Sequence, residues 1–287
     1  MDATCFDIER DGHVAHLRLN RPDAYNSMIR EFWSELPAAV RELDEGGDVR
    51  AIVISSTGKH FCAGMDLAVF TGGGGDLSGN GEGPSSGPAE QGRARAKVRQ
   101  LVRLLQDSFS TLERARVPVL AAIQGGCIGG AVDMVTACDL RYASADAFFC
   151  VQEINLGMTA DVGTLQRLPK IIPEGIAREM AYRGHRVPAA RAREFGLVNE
   201  VFDTHEELVA GVLEIAQEIA SKSPLAIWGT KEMVNYTRDH TVADSLDHMA
   251  AWQSGMFQPA DMMETFVAKS ESREPAFDDL LTPPRGI

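Results

Sequence analysis

The sequence predicts an α/β fold, because short apolar and β-branched runs are repeatedly followed by glycine-rich turns and helical segments. The last third of the chain, from Pro173 onward, is predicted to be almost entirely helical. With 287 residues, the chain is long enough for one large domain or for a core domain with a smaller appendage. A sizeable buried core is therefore expected.

The N-terminal region is predicted to begin with a β-hairpin. Residues 6–9 and 14–19 flank Asp11-Gly12, a dipeptide suited to a tight turn, and apolar residues alternate along the second segment. A helix is expected over residues 27–43. The β-branched run at residues 49–55 then predicts a buried strand.

The middle of the chain contains a polar insertion followed by further α/β elements. Residues 71–92 are predicted to form a flexible surface insertion, because their glycine, serine, proline and acidic residues leave little apolar surface to bury. Apolar residues then recur at three- and four-residue steps from Val98 to Leu112, which predicts a helix with an apolar stripe in the core. A buried strand is expected at 118–124, and a helix at 131–138 follows the glycine cluster at 125–130.

The C-terminal region continues with two short strands, predicted over residues 140–143 and 148–151, and then with helices. The predicted helices span residues 174–182, 189–195, 206–221, 224–236, 242–256 and 261–270. Helices with conspicuous apolar faces often form contacts between subunits. We therefore expect the C-terminal region to take part in self-association.

Composition and charge argue against several classes of protein. The chain is 44% hydrophobic and 24% charged, and no apolar run approaches the roughly 18 residues of a membrane span. A net charge of −13 disfavours nucleic acid and anionic membranes as partners. The five cysteines form neither a zinc pattern nor a disulfide framework, so no metal site is expected. The N-terminal residues lack the features of a signal peptide, and a cytosolic location is expected.

Three acidic residues lie in apolar and glycine-rich stretches of sequence: Asp133, Glu153 and Asp161. A single acidic residue is most often a solvated surface group. Carboxylates in apolar surroundings are costly to bury unless they are paired, hydrogen-bonded or protonated, and a pocket lined by several shifts their pKa values toward working pH. The three residues together therefore indicate acid/base catalysis.

Two glycine-containing turns follow predicted strands, at Gly64-Met65 and at Gly129-Gly130. Glycine leaves a backbone N–H accessible because no side chain blocks its approach. Removal of a proton next to a carbonyl needs a base, and it needs donors for the negative charge that develops on oxygen. The two turns are candidates for those donors, and tight turns or close helix packing are the alternative explanation.

Several segments in combination resemble the signatures of the crotonase, or enoyl-CoA hydratase/isomerase, superfamily. They are FCAGMDL at residues 61–67, IQGGCIGG at 123–130, SPLA at 223–226 and GTKE at 229–232. The resemblance extends from about Phe6 to Lys269 and is interrupted by residues 71–92. It implies a spiral of repeated ββα units with the acyl-CoA site in residues 1–200. It also implies a helical oligomerisation region in residues 201–287, usually in a trimer or a dimer of trimers.

The resemblance also implies roles for individual residues. The backbone N–H groups of Met65 and Gly130 would form an oxyanion hole for the thioester oxygen of an acyl-CoA. Further substrate contacts are implied at Ala63, Gly64, Asp66, Leu67, Gly129 and, through a C-terminal FxxK motif, Lys269. A cap for the following helix is the alternative role of Asp66. Coenzyme A is part of the substrate, and no separate cofactor is implied. His60 is interpreted as a turn residue, and Lys59 and Arg167 as CoA phosphate contacts or solvated charges.

The acids distinguish between reactions within the superfamily. Asp133 stands where hydratases carry a first glutamate, Glu153 matches their second, and Asp161 is additional. This set is similar to that of the Δ3,5-Δ2,4-dienoyl-CoA isomerases of fatty acid β-oxidation. It implies proton exchange at C2 by Glu153 and at C6 by Asp161, with Asp133 in support. An enoyl-CoA hydratase, a Δ3-Δ2-enoyl-CoA isomerase and a non-catalytic acyl-CoA-binding scaffold remain as alternatives.

Overall fold

The computed structural model describes residues 3–66, 68–69 and 91–284. Its strands are β1 (Phe6–Asp11), β2 (Val14–Leu19), β3 (Ala51–Ser56), β4 (Val119–Ile123), β5 (Gly126–Ile128), β6 (Leu140–Ser144), β7 (Phe148–Cys150), β8 (Val187–Pro188) and β9 (Glu200–Phe202). Its helices are α1 (Phe32–Gly46), α2 (Gln91–Arg114), α3 (Gly130–Thr136), α4 (Thr164–Ile171), α5 (Glu174–Arg183), α6 (Ala189–Glu194), α7 (His205–Ala220), α8 (Pro224–Thr237), α9 (Val242–Met256) and α10 (Pro259–Glu271). None of these helices is both long and apolar enough to cross a membrane.

A six-stranded sheet in the order β1-β2-β3-β4-β6-β9 forms the centre of the fold. The predicted hairpin is confirmed, since β1 and β2 pair antiparallel, and the other strand pairs of this sheet are parallel. Every residue of β3 is buried, with Ile52 and Ile54 facing one apolar cluster and Ala51 and Val53 facing another. Helices therefore cover both faces of the sheet, which explains why β3 is a continuous apolar run.

The two faces of the sheet are covered by different helices. On one face, α1 and α2 pack against each other, and Phe32 and Phe109 are fully buried there. On the other face, α7 buries a stripe repeated every four residues, composed of Leu208, Val212, Ala216 and Ala220. This spacing places one side of the helix on the sheet. The boundary expected at residue 200 stays a prediction.

A second sheet, in the order β5-β7-β8, lies beside the first. Residues 126–128 were expected within a glycine turn, but they form β5 and pair parallel with β7. The backbone explains the difference, because the N–H of Cys62 donates to the Gly126 carbonyl and the N–H of Ile128 donates to the Cys62 carbonyl. Strands β8 and β9 and helix α4 were also not expected from the sequence.

Two other boundaries differ from expectation. The helix predicted over residues 27–43 begins only at Phe32, because Met28 forms a parallel backbone bridge with Met65. Most of the predicted insertion, residues 71–90, lies outside the described residues, whereas Gln91 and Gly92 begin α2.

Candidate active site

A cavity of about 360 Å³ lies between α1, α2 and the two glycine-containing turns. The residues that line it are Trp33, Ala63, Gly64, Met65, Val98, Val102, Leu105, Gly129, Gly130, Gln152, Glu153, Leu156, Met158, Asp161 and Val162. Two of the predicted acids, Glu153 and Asp161, therefore meet both predicted turns in one largely apolar space.

The two turns touch each other through their glycines. Gly64 has φ +84°, and a Cβ placed on it would lie 2.6 Å from the Ile128 carbonyl oxygen and 3.3 Å from the Gly130 nitrogen. A Cβ on Gly130 would lie 3.8 Å from the Met65 nitrogen. A side chain at Gly64 would push the turns apart, so glycine is required there by both conformation and space.

The N–H groups of Met65 and Gly130 lie at the two turns without a hydrogen-bond acceptor in the described part of the chain. The backbone bridge between Met28 and Met65 is made through the two neighbours of Met65. Met28 N–H donates to the Gly64 carbonyl at 2.8 Å, and Asp66 N–H donates to the Met28 carbonyl at 3.1 Å, so the bridge does not use the Met65 N–H. Within the described residues, neither Met65 N–H nor Gly130 N–H has a hydrogen-bond acceptor. Two backbone donors thus remain available at the cavity wall.

Glu153 is the first residue of a short 3₁₀ helix, Glu153–Leu156, and its carboxyl group packs against the second turn. Its Oε1 atom lies 3.3 Å from the position of a Cβ on Gly129. Its Oε2 atom is buried and has no hydrogen-bond partner in the described part of the chain. Burial, followed by the negative charge of Asp133, raises the pKa of Glu153 to about 7. This carboxyl group can therefore hold or release a proton near neutral pH.

Asp133 lies on α3 behind the cavity wall and is fully buried. Its Oδ1 atom accepts a hydrogen bond from the Thr164 N–H at 2.6 Å, and its Oδ2 atom has no partner among the described residues. Burial raises the pKa of Asp133 to about 6, against the opposing effect of the Thr164 hydrogen bond. Asp133 is placed to act on its neighbours through charge, since it does not line the cavity.

Asp161 lines the cavity at its exposed edge. Partial burial raises the pKa of its carboxyl group, and a hydrogen bond from its own backbone N–H opposes this effect. The negative charge of Asp161 in turn raises the pKa values of Asp133 and Glu153. The three carboxyl groups are thus electrostatically coupled, which favours states in which at least one of them is protonated.

The other predicted contacts have three different outcomes. Ala63, Gly64 and Gly129 line the cavity. Asp66 does not, because its side chain accepts hydrogen bonds from Ala68 N–H at 2.9 Å and from the Ser27 hydroxyl at 2.8 Å. Lys269 is exposed on α10 and is not among the residues that line the cavity. Leu67 lies outside the described residues.

Two side chains near the signature segments have structural partners. His60 Nδ1 accepts a hydrogen bond from Gly126 N–H at 2.9 Å, as its interpretation as a turn residue implies. Arg167 donates to Glu113 Oε2 from Nε at 3.0 Å and from Nη2 at 2.9 Å. The protein itself thus provides the anion for Arg167, so the expected CoA phosphate contact finds no support here.

Sequence reasoning missed the apolar wall of the cavity. Val98, Val102 and Leu105 were expected to belong to a core stripe; Leu105 is buried in the core as expected, and all three also line the cavity together with Trp33 of α1. Only the later part of the stripe, which includes Phe109, is wholly core. The spacing of the stripe carries no signal for this difference, because a cavity wall and a core both require apolar residues.

The chain is similar to known proteins in both sequence and structure. Residues 9–280 match the family described as Enoyl-CoA hydratase/isomerase. "Delta(3,5)-Delta(2,4)-dienoyl-CoA isomerase, peroxisomal" of Arabidopsis thaliana is 42% identical, over 94% of this chain and 94% of that protein. "Delta(3,5)-Delta(2,4)-dienoyl-CoA isomerase, mitochondrial" of Homo sapiens is 41% identical, over 91% of this chain and 77% of that protein.

A solved structure is also similar to the whole of this chain. The crystal structure of an enoyl-CoA hydratase from Bacillus anthracis superposes on this chain with a TM-score of 0.83 at 28% identity. The superposition covers 96% of this chain and 99% of the hydratase chain. The predicted fold class is thereby confirmed. The names of the two sequence relatives refer to peroxisomes and mitochondria, so they lend no support to the expected cytosolic location.

Proposed function

The chain belongs to the enoyl-CoA hydratase/isomerase family, and from this membership we propose that it is an isomerase that converts a 3,5-dienoyl-CoA to the 2,4-dienoyl isomer. Relatives that are 42% and 41% identical carry the name of this activity. The observation that carries the proposal is the arrangement of Glu153 and Asp161 in one cavity with two backbone donors that have no acceptor among the described residues.

The proposed reaction moves one proton off the acyl chain and one proton onto it. The thioester oxygen accepts hydrogen bonds from Met65 N–H and Gly130 N–H, which stabilise the negative charge of the dienolate. Glu153, as a carboxylate, takes the proton from C2, the double bonds move from C3=C4 and C5=C6 to C2=C3 and C4=C5, and Asp161, as the protonated acid, gives a proton to C6. Glu153 then releases its proton to solvent and Asp161 takes one up, which restores the starting state. Protons and electrons balance within the substrate and the two carboxyl groups, so the proposed step needs neither a redox cofactor nor a metal.

The position of Asp133 favours isomerisation over hydration. Hydration across C2 and C3 calls for two acids that hold one water molecule at the cavity surface. Here Asp133 is fully buried behind the wall, and Oδ1 is engaged by Thr164. The two acids that do line the cavity are Glu153 and Asp161. We assign Asp133 the role of raising the proton affinity of Glu153 by its charge.

A spectroscopic assay tests the proposal. Purified protein mixed with a 3,5-dienoyl-CoA is expected to increase the near-ultraviolet absorbance, because the product diene is conjugated with the thioester. Rapid hydration of crotonyl-CoA with an unchanged dienoyl substrate would contradict the proposal and favour a hydratase. Binding of both CoA esters without turnover would favour a non-catalytic scaffold.

We further propose that the protein self-associates as a trimer or a dimer of trimers through α8, α9 and α10. An open apolar concavity of about 780 Å³ lies among these helices, away from the acids. Apolar side chains on α9 and α10 are exposed in the single chain, among them Val242, Leu246, Met263 and Phe266. Exposed apolar side chains beside an apolar concavity are typical of surfaces that contact other proteins.

A further inference from the structure

Helix α2 has a polar stripe next to the apolar residues that form the cavity wall. Gln106, Ser110 and Glu113 follow one another at steps of four and three residues, so they share one face of the helix. The adjacent face carries Val102 and Leu105, which line the cavity. The same rigid helix thus presents one surface to the acyl cavity and another to the segment that contains Asp161.

The polar stripe contacts both ends of the turn that leads into α4. Gln106 Nε2 donates a hydrogen bond to the backbone carbonyl of Asp161 at 2.7 Å. Ser110 Oγ accepts a hydrogen bond from Arg167 Nη2 at 3.0 Å, and Glu113 forms an ion pair with the same guanidinium group at 2.9 Å. Residues 161–167 are therefore attached to α2 at two points, one at Asp161 itself and one a helical turn into α4.

The other side of this turn is attached to α3. Thr164 N–H donates to Asp133 Oδ1 at 2.6 Å in the buried interior. Gly163, with φ +140°, lies against the Arg167 side chain, and a Cβ there would collide with the guanidinium group. The turn is thus held between α2 and α3, and Asp161 at its N-terminal end depends on Gln106 for its attachment to α2.

We infer that Gln106 is a positioning residue for Asp161, and that its hydrogen bond fixes the distance between the Asp161 carboxyl group and the acyl chain. The inference rests on the proposed function, in which Asp161 protonates C6. Proton transfer requires the acid to stay within hydrogen-bond reach of the reacting carbon, and a misplacement of about 1 Å costs roughly 10²-fold in rate. Because α2 also forms the acyl wall, Gln106 ties the acid and the substrate to one helix.

The test compares the same substitution at two glutamines. Gln106→Met removes the donor with little change in size. Gln166→Met is the matched control, since both glutamines line a second cavity of about 490 Å³ between α2 and α4 but Gln166 makes no side-chain hydrogen bond to Asp161. In deuterated water, Gln106→Met is expected to lower kcat about tenfold, with KM changed by less than about threefold. For this variant the rate of deuterium incorporation at C6 falls in proportion to kcat, whereas the rate of incorporation at C2 stays that of the wild type. Gln166→Met remains within about twofold of the wild type in all three measurements.

Three outcomes overturn the inference. Equal kcat values and equal C6 incorporation for the two variants would show that Gln106 does not position Asp161. A parallel loss of C2 and C6 incorporation, or a loss of folding in Gln106→Met and Gln106→Ala alike, would assign Gln106 a general structural role. A wild-type protein that isomerises no dienoyl-CoA would contradict the proposed function itself, a failure that is visible before any variant is made.

Discussion

At the scale of single residues, three carboxyl groups of similar chemistry have different surroundings. Glu153 faces the cavity with one buried oxygen that has no partner among the described residues, Asp161 lies at the exposed edge, and Asp133 is closed off behind the wall. Depth of burial, rather than residue type, separates their proposed roles. The sequence identified all three acids, but it gave no indication that Asp133 is excluded from the cavity surface, because that depends on how α3 and α4 pack.

Separate removal of the two acids that line the cavity is expected to separate the two proton transfers. Glu153→Gln and Asp161→Asn should each lower kcat by about 10² to 10⁴, the usual range for loss of a general acid or base. Asp161→Asn should still exchange the C2 proton of a bound dienoyl-CoA with deuterated water, because Glu153 is intact, whereas Glu153→Gln should not. Near-normal isomerisation by Asp161→Asn, measured by absorbance, would instead favour a monoenoyl-CoA isomerase with one base.

Asp133 should make stability depend on pH. The pKa of Asp133 is about 6 in the folded protein and near 3.9 in the unfolded chain. The folded state is therefore most stable, as far as this group is concerned, below about pH 4, and this stabilisation is lost as pH rises through 6. Asp133→Asn cannot ionise and can still accept the Thr164 hydrogen bond. The difference in free energy of unfolding, Asp133→Asn minus wild type, should therefore rise by about 2 to 3 kcal/mol between pH 4 and pH 8.

Urea unfolding at the two pH values measures this change, and Asp66→Asn provides a comparison of opposite sign. Hydrogen bonds from Ala68 N–H and the Ser27 hydroxyl lower the pKa of Asp66, so its ionised form is favoured by folding. The stability of Asp66→Asn relative to the wild type should therefore fall as pH rises toward about 4, and it should stay nearly constant between pH 4 and pH 8, which extends the measurement to lower pH for this variant. A pH-independent difference for Asp133→Asn would show that Asp133 is not held with a raised pKa.

At the scale of elements, the GTKE segment that supports the family resemblance has a structural explanation. Lys231 of α8 is buried, and its Nζ atom donates to Asp139 Oδ2 at 2.8 Å and to the carbonyls of Leu112 and Val117 at 3.0 Å each. Asp139 also accepts from Val119 N–H at 2.8 Å. One ammonium group thus joins the end of α2, the start of β4 and the residue before β6.

Loss of this ammonium group should destabilise the fold. Lys231→Met is expected to lower the free energy of unfolding by about 3 kcal/mol, because it leaves a carboxylate and two carbonyls without their donor. Lys222→Met is the control, since Lys222 forms only an exposed pair with Glu218 at 4.0 Å, and it should change stability by less than about 1 kcal/mol. Equal unfolding midpoints in urea for the two variants would contradict the importance of the buried contacts.

The elements that sequence patterns predicted best are those defined by their own residues. The hairpin turn at Asp11-Gly12 and the helix at Val242–Met256, which begins with a capping box at Thr241, lie where they were expected. Strand β5 and the late start of α1 were missed because each depends on a backbone partner far along the chain. Local patterns carry no record of such long-range pairing.

At the scale of the whole molecule, the candidate site lies where several layers of the fold meet. The cavity takes its donors from the turn at residues 63–65 and the start of α3, its acids from the segment after β7, and its apolar wall from α1 and α2. The segments that precede the two turns are in contact, since Cys62 forms a parallel backbone bridge with Cys127 of β5. The sequence predicted the donors and acids from its glycine turns, its carboxylates in apolar stretches and the family resemblance, whereas the wall required the three-dimensional packing of α1 on α2.

The C-terminal helices should connect assembly with substrate binding. In a single chain, Lys269 is exposed on α10 and does not line the cavity, so its proposed contact with CoA requires a neighbouring subunit. Lys269→Met should then raise KM for a CoA ester several-fold, with kcat within about twofold, because a distant charge contributes to binding and not to proton transfer. A fully assembled Lys269→Met protein with an unchanged KM would show that the cavity of each subunit binds CoA without this lysine.

The exposed apolar residues of α9 and α10 provide a separate test of assembly. Leu246→Asp combined with Phe266→Asp should reduce the mass measured by light scattering to that of a monomer, and the double variant should raise KM in the same way as Lys269→Met.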